Sequence, residues 1–422
     1  MVKYDSNKYS GIKSIGDIPS HWEVKHLRNF LRIFSEKGFG SCQLLSVTRE
    51  KGVILRDRNN TEENHNFVPD DLSGYKHLYA GDFVINKMKS WQGSYGLSDY
   101  EGIVSPAYFT CKLNGVNPQF FSRALRSKAY IGFFMQFSKG IRVDQWDLDP
   151  NSMKDIPFIL PPENEQKRIV DYLDEQCERI DEAIAQQQKM IDLLNERKQI
   201  IINKVVTKGL NPDVEMKDSG VNWIGLVPAH WKVNKAKFHF ATKKEIIGKD
   251  YHKYERLALT LKGVIKRQYG DDIGLNPESL STYQVVQEND LIFKLIDLEN
   301  ISTSRVGLSP YSGLVSPAYI RIFAKDDICH QYFEYYYLNM WHRHIFNDFG
   351  SDGVRSNLSA SDLLAIKILI PPIDEQLRIS QYIKGQTEVL NKYLSHLQAS
   401  IDALNERKQI LIGNAVTGKF KI

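Results

Sequence analysis

The chain has 422 residues, of which 42% are apolar, 11% aromatic and 25% charged; this balance excludes a disordered or fibrous polypeptide and leaves room for two or three globular domains. Its 55 lysines and arginines against 51 aspartates and glutamates leave a net charge of only +4, a small excess for a protein that holds nucleic acid alone through phosphate contacts. No apolar run approaches the roughly 18 to 20 residues of a membrane span, the start MVKYDSNKYS lacks a secretory signal pattern, and Cys42, Cys111, Cys177 and Cys329 stand far apart, so the sequence predicts a cytoplasmic protein without a disulfide framework or zinc ribbon.

The charge is uneven along the chain. Residues 1–162 carry 21 basic against 17 acidic side chains, residues 163–210 carry 8 against 10, residues 211–370 carry 19 of each, and residues 371–422 carry 7 against 5. The first segment is mildly basic and the rest is balanced, so charge alone names no partner.

The first segment opens on Ile15-Gly16-Asp17-Ile18-Pro19-Ser20-His21-Trp22-Glu23-Val24. Asp82 to Ile85, and Ile103-Val104 through Phe109, read as short strands bounded by Gly, Asp and Pro, while Phe120 to Phe137 reads as an aromatic-rich helix. Between Pro162 and Gly209 a seam steps by three and four through Val170, Leu173, Cys177, Ile180, Ile184, Gln187, Ile191, Leu194, Lys198, Ile201 and Val205, as in a coiled coil. Prolines suit the first turn of this helix, Glu163 and Glu165 complement its positive end, and Gly209 with Pro212 stops it.

The same succession then returns. Ile224-Gly225-Leu226-Val227-Pro228-Ala229-His230-Trp231-Lys232-Val233 repeats the opening block at an offset of 209, and Gly307 to Tyr319 repeats Gly96 to Tyr108 at 211. Pro371-Pro372-Ile373-Asp374-Glu375-Gln376 matches Pro161-Pro162-Glu163-Asn164-Glu165-Gln166, and Leu404 to Ile410 is identical to Leu194 to Ile200. Four blocks in one order at nearly constant offset make the chain two copies of one unit, a globular domain followed by a helix. The second copy repeats the strand-like stretches at Asp290 to Phe293 and Leu314-Val315 through Phe323, and the aromatic helix at Tyr332 to Phe346. Its seam runs through Ser380, Ile383, Thr387, Leu390, Leu394, Leu397, Ile401, Leu404, Lys408, Leu411 and Ala415.

These patterns predict a mixed α/β (α+β) fold with domains at 1–158 and 211–368 and long helices within 159–210 and 369–422. The helices are expected to pair through Leu173, Ile180, Ile184, Ile191 and Leu194 against Ile383, Leu390, Leu394, Ile401 and Leu404. An antiparallel pair is favoured by connectivity, because the second domain then needs only to leave one helix end and enter its neighbour. About 44 residues would make a rod of roughly 65 Å, with the domains at opposite ends about an internal pseudo-two-fold.

Catalytic motifs are missing or fail the comparison between copies. There is no phosphate loop and no HExxH helix. A nuclease-like set of Asp17, Glu23 and Lys25 is answered by Leu226, Lys232 and Asn234 in the second copy. Ser105-Pro106-Ala107-Tyr108 and Ser316-Pro317-Ala318-Tyr319 approach a methyltransferase loop but lack its second proline, and they read as a turn beside a strand. The histidines His330, His342 and His344 beside Cys329 fit no common metal spacing.

What differs between the copies is as informative as what repeats. One scaffold with two different variable surfaces implies two recognition events of the same geometry. The divergent stretches hold side chains suited to base edges, Lys87, Lys89 and Gln92 in copy one and Lys266, Arg267 and Gln268 in copy two. Arg49 and Arg305 suit phosphates, and Arg56, Arg58 and Lys262 add basic character. Arg142 and Arg355 follow Gly-Ile and Gly-Val near the end of each domain and form a matched basic pair, better suited to backbone contact than to base discrimination.

With GDIPSHWEV and GLVPAHWKV, the GIVSPAY and GLVSPAY strands, LPPENEQKRI and IPPIDEQLRI, and the twin LNERKQI blocks, the whole chain resembles the specificity subunit of type I restriction-modification systems. The resemblance implies two target recognition domains, each reading half of a bipartite asymmetric DNA site, and helices that serve as spacer and as the docking surface for two modification (methyltransferase) subunits. Restriction subunits would join through these. It further implies a non-catalytic chain without cofactors of its own, with S-adenosylmethionine, ATP and Mg on the partners. The alternatives are a coiled-coil protein-interaction scaffold, and a self-contained DNA methyltransferase or nuclease.

Overall fold

A computed structural model of the chain describes residues 2–57, 68–140, 146–267, 279–296, 298, 303–349 and 357–422. Contacts divide it into two units, residues 1–188 with 398–422, and residues 189–397.

In the first unit the strand Phe83–Asn86 is buried along its whole length, and alternation explains how. Phe83 and Ile85 face a large core with Phe121, Phe134 and Phe158. Val84 faces a separate cluster of Leu45, Val47, Val53, Leu78 and Val104, as the two-residue period of a strand requires. This strand sits in an antiparallel sheet ordered Leu31–Phe34, Tyr108–Leu113, Phe83–Asn86, Tyr95–Leu97. The smaller cluster is completed by the hairpin Leu45–Thr48 with Gly52–Leu55 and by the pair Lys76–Leu78 with Gly102–Val104. The strand Glu23–His26 pairs with Pro157–Leu160, closing the domain where it enters and leaves.

The second unit repeats this plan. Leu291 and Phe293 face one core and Ile292 the other, where Leu257, Leu259, Val264, Val286 and Val315 surround it. The strand Lys232–Lys235 pairs with Lys367–Ile370.

Two expectations are corrected. Phe120 to Phe137 is two helices, Pro118–Leu125 and Lys128–Phe137. Ser127 caps the second in an extended conformation, its hydroxyl donating 2.7 Å to the carbonyl of Ala124, a local bond that competes with helix continuation. Arg126 at the break donates to the carbonyls of Arg49 and Glu50 and so holds the hairpin tip. Likewise Ile103-Val104 through Phe109 is not one strand. The amide of Ala107 bonds the Ser105 hydroxyl at 3.3 Å and that of Tyr108 bonds the Ser105 carbonyl at 3.0 Å, making a turn that sends the flanking strands to different partners. Ser316 makes the same two bonds in the second unit, at 3.3 and 3.1 Å.

The long helices span Glu163–Lys208 and Ile373–Val416, 46 and 44 residues. In each unit a part of one lies antiparallel to a part of the other. In the first, Lys408 bonds Asp181 at 2.6 and 2.7 Å, and the Tyr172 ring lies 5.9 Å from Phe420. In the second, Lys198 donates to Asn391 at 3.1 Å, while Val206 and Ile383 share a core. Leu173, Ile180, Ile383, Leu390 and Ile401 are buried, whereas Ile184, Ile191, Leu194, Leu394 and Leu404 are half-buried. The seam lysines are thus polar contacts within an apolar stripe, and burial holds the Lys198 ammonium below its usual range. No described helix is long and apolar enough to cross a membrane.

Candidate nucleic-acid interface

The blocks shared by the two copies build one joint. Glu165 stands in the first turn of the first long helix, and its carboxylate accepts from Trp22 Nε1 at 3.0 Å and Tyr4 OH at 3.1 Å, with His21 Nε2 at 2.6 Å. Glu375 receives Trp231 Nε1 at 3.0 Å and His230 Nε2 at 2.6 Å. The following glutamines complete the fastening: Gln166 donates to the Pro161 carbonyl and accepts from the Asn117 amide, and Gln376 does the same with Pro371 and Cys329. The repetition of His-Trp and Glu-Gln in the sequence carried this signal, which a dipole role for Glu165 leaves unread.

Burial pushes the Glu165 carboxyl up, but the bonds from Trp22, His21 and Tyr4 outweigh it and hold the group below its ordinary value of 4.5. A depressed carboxylate stabilises the fold above its unfolded value and loses that contribution as pH falls through the folded one. We therefore expect acid unfolding of the first unit to begin at higher pH in wild type than in a Glu165→Leu variant relative to each one's own neutral stability, read by tryptophan fluorescence between about pH 5 and 3. Equal slopes in that window would sink the assignment.

The joint positions the variable surfaces. In the first unit the connection after Phe83–Asn86 carries Lys87, Lys89 and Gln92. It is pinned at Lys87, whose ammonium bonds Asp147 at 2.9 Å and whose carbonyl accepts from the Leu148 amide at 3.0 Å. A left-handed Gly93, φ 92°, closes its short helical turn Ser90–Gln92. Trp91 lies 5.2 Å from Trp146 between ring centres. Lys87, Lys89 and Gln92 thus share one connection, which meets Trp146, Asp147 and Leu148. Arg49 belongs to another element, exposed at the tip of the hairpin that Arg126 holds. The two tryptophans were not singled out from sequence, because nothing in their spacing announces that they meet.

In the second unit Lys266 and Arg267 lie on the hairpin Arg256–Thr260 with Gly263–Arg267. Lys266 is exposed, bonds Glu255 at 2.6 Å and lies 4.8 Å from the Tyr311 ring centre. The bond to Glu255 raises its ammonium above the usual range, and an exposed pair of this kind is readily exchanged for another anion. Arg267 is half-buried opposite Arg256. Arg305 is corrected: its side chain is fully buried and contacts Thr303, and its carbonyl accepts from the Lys294 amide, so it is part of the interior instead of a surface contact for phosphate. Gln268, Arg142 and Arg355, with Arg58, lie outside the described residues.

The candidates singled out in the first copy lie in the loop after the central strand, and those described in the second lie on the hairpin, whose counterpart in the first copy is Leu45–Thr48 with Gly52–Leu55. We expect Gln92→Ala or Arg267→Ala to cost about 1–3 kcal/mol of binding to a cognate duplex while leaving mismatched duplexes unchanged. Arg49→Ala, a phosphate candidate at the exposed hairpin tip, serves as the comparison, and titrations at several salt concentrations separate a lost base contact from a lost charge. An unchanged cognate-to-mismatch ratio in Arg267→Ala makes that residue a solvated charge.

Known proteins resemble the chain along most of its length. The family profile described as type I restriction modification DNA specificity domain matches residues 238–402. The MjaX specificity subunit of a type I restriction enzyme from Methanocaldococcus jannaschii is 22% identical over 433 aligned positions, covering 97% of this chain and 96% of the relative. The MjaVIII specificity subunit of the same organism is 21% identical over 65% of this chain and 64% of its own length. A solved chain from a study of assembly and conformational transition in the type I R-M system has a similar fold, with a TM-score of 0.65 at 15% identity, covering 94% of this chain and 98% of that one.

Proposed function

The chain belongs to the type I restriction-modification specificity family, and from that premise we propose that it reads a bipartite, asymmetric DNA target, one half with each globular domain. It is the non-catalytic recognition subunit of such an enzyme. The observation that carries the bipartite reading is the contrast between the copies. The tryptophan and histidine bonds to Glu165 recur at Glu375, while the hairpins of the two copies, Leu45–Thr48 with Gly52–Leu55 and Arg256–Thr260 with Gly263–Arg267, differ in residue type. A duplicated mount with unlike working faces fits two unlike half-sites presented in one geometry.

Methyltransferase and restriction subunits are the partners this role requires, and in our reading two methyltransferase copies dock on the long helices. S-adenosylmethionine, ATP and Mg then stay with those partners, and this chain contributes recognition. The small net charge of +4 suits such a division, because partner subunits can supply phosphate contacts.

Exchanging residues 1–158 for the corresponding domain of a relative tests the reading. Methylation sequencing of a host carrying the hybrid should show one half-site replaced and the other retained, with binding to the old target falling about a thousandfold or more toward the non-specific level. Replacement of both half-sites would overturn the two-module reading.

A further inference from the structure

Each joint holds its domain to two helices at once. Trp22 is fully buried; one edge donates to Glu165 at the start of the first long helix, and the ring packs against Gly418 just beyond the end of the second. Gly418 has φ +68°, and a Cβ there would collide with Pro19 and come within 3.0 Å of Trp22. Neither conformation nor space admits another residue. In the second unit Trp231 is also fully buried, donates to Glu375 and covers Gly209, φ +73°, where a Cβ would stand 3.2 Å from the ring. The same ring therefore reports on the beginning of one helix and the end of the other.

A greasy contact would also have held the domain on, but it would tolerate sliding and rolling. A carboxylate held by directed donors does not: burying it costs desolvation, and that cost is met only in one orientation. The side chain of Glu165 is 13% exposed and that of Glu375 24%. The first joint is further pinned by Lys419, whose ammonium bonds the carbonyls of Ile15 and Asp17 at 2.6 and 2.9 Å on the segment that leads into Trp22.

We propose that Glu165 and Glu375 are positioning residues that fix the angle at which each recognition domain is presented, and thereby set how strictly the protein selects the spacing between half-sites. Neither carboxylate touches DNA. Each acts through its tryptophan, and the spacing tolerance of the whole reader is the looseness of the two joints combined. The inference rests on the bipartite reading above.

The test uses the full chain assembled with its methyltransferase subunits, carrying Glu165→Gln, Glu375→Gln or both, and duplexes built on the target at which the host DNA is methylated. One set varies the spacer by one base pair in either direction; another keeps the spacer and mismatches one base in either half. Glutamine keeps the size of the side chain but removes its charge, so the charge-assisted bonds that hold the tryptophan and the histidine become weaker neutral ones. We expect the preference for the native spacer to fall about fivefold or more per joint while discrimination within each half-site stays unchanged. Trp22→Phe keeps the wedge over Gly418, removes only the indole donor, and should reproduce the effect if Glu165→Gln folds poorly. Intact spacer preference in folded variants overturns the proposal, and so does a uniform loss of affinity for all duplexes, the mark of a merely stabilising contact. Wild-type protein indifferent to spacing and to one of the two halves would instead refute the bipartite reading itself.

Discussion

Truncating Trp231 to alanine is expected to cost the second unit about 3–5 kcal/mol of stability, the range for removing a fully buried large aromatic side chain. Three losses coincide at this site. The ring leaves the large core that contains Val206, Ile379 and Ile383, Glu375 loses its indole donor at 3.0 Å, and the surface that covers Gly209 disappears. They share one side chain, so they do not add. Trp231→Phe keeps most of the packing and should cost about 1–2 kcal/mol, chiefly the unsatisfied carboxylate. Hydrogen exchange of amides within residues 189–397, followed with denaturant, resolves this unit from the other. A loss under about 1.5 kcal/mol for the alanine variant would mean that the joint is peripheral to the core.

Much of this architecture is legible without coordinates because it is periodic or duplicated. The seam of three and four residues predicts the long helices, and the recurrence of four blocks predicts that each unit has the same mount. The joint itself was spelled out in those blocks, since a histidine-tryptophan pair and a glutamate-glutamine pair that persist together while their surroundings drift are a contact in waiting. What resisted reading was decided by tertiary context. Ser127 ends a helix that an aromatic run extends, because its hydroxyl finds the Ala124 carbonyl and Arg126 is taken up by the hairpin. Arg305 looked like a surface cation because its residue type usually is one; it is interior, and no local pattern distinguishes the two. The reading surfaces are the least legible part, since recognition of different half-sites demands that these residues follow no shared motif.

The second large effect is expected at a buried aspartate for which the two copies use cations from different positions. Arg321 Nε bonds Asp290 at 2.5 Å, with the two side chains only 9% and 5% exposed, and the guanidinium also donates to the Val285 carbonyl at 3.1 Å. In the first unit the equivalent aspartate, Asp82, pairs instead with Lys112 at 2.8 Å; Thr110 stands where the second unit has Arg321, and Lys112 is 46% exposed while Asp82 is 4% exposed. Burial pushes the Asp290 carboxyl up, against the Gln287 amide and Arg321, which pull it down. Arg321→Met removes the counter-charge from a carboxylate that water cannot reach, and should cost about 3–5 kcal/mol at neutral pH. Lys112→Met should cost less, about 1–2 kcal/mol, because the lysine side of that pair is open to solvent although Asp82 is itself buried. The sign with pH follows from the same reasoning. Without Arg321 the folded carboxyl titrates still higher than the unfolded one, so the variant binds more protons when folded and loses stability as pH rises from its ordinary value of 3.8. The deficit relative to wild type should therefore shrink as pH is lowered from about 7 to about 4, and Asp290→Asn added to Arg321→Met should recover part of it at neutral pH. Equal deficits at both pH values, or equal costs for Arg321→Met and Lys112→Met, would show that side-chain packing, not the buried charge, sets the stability here.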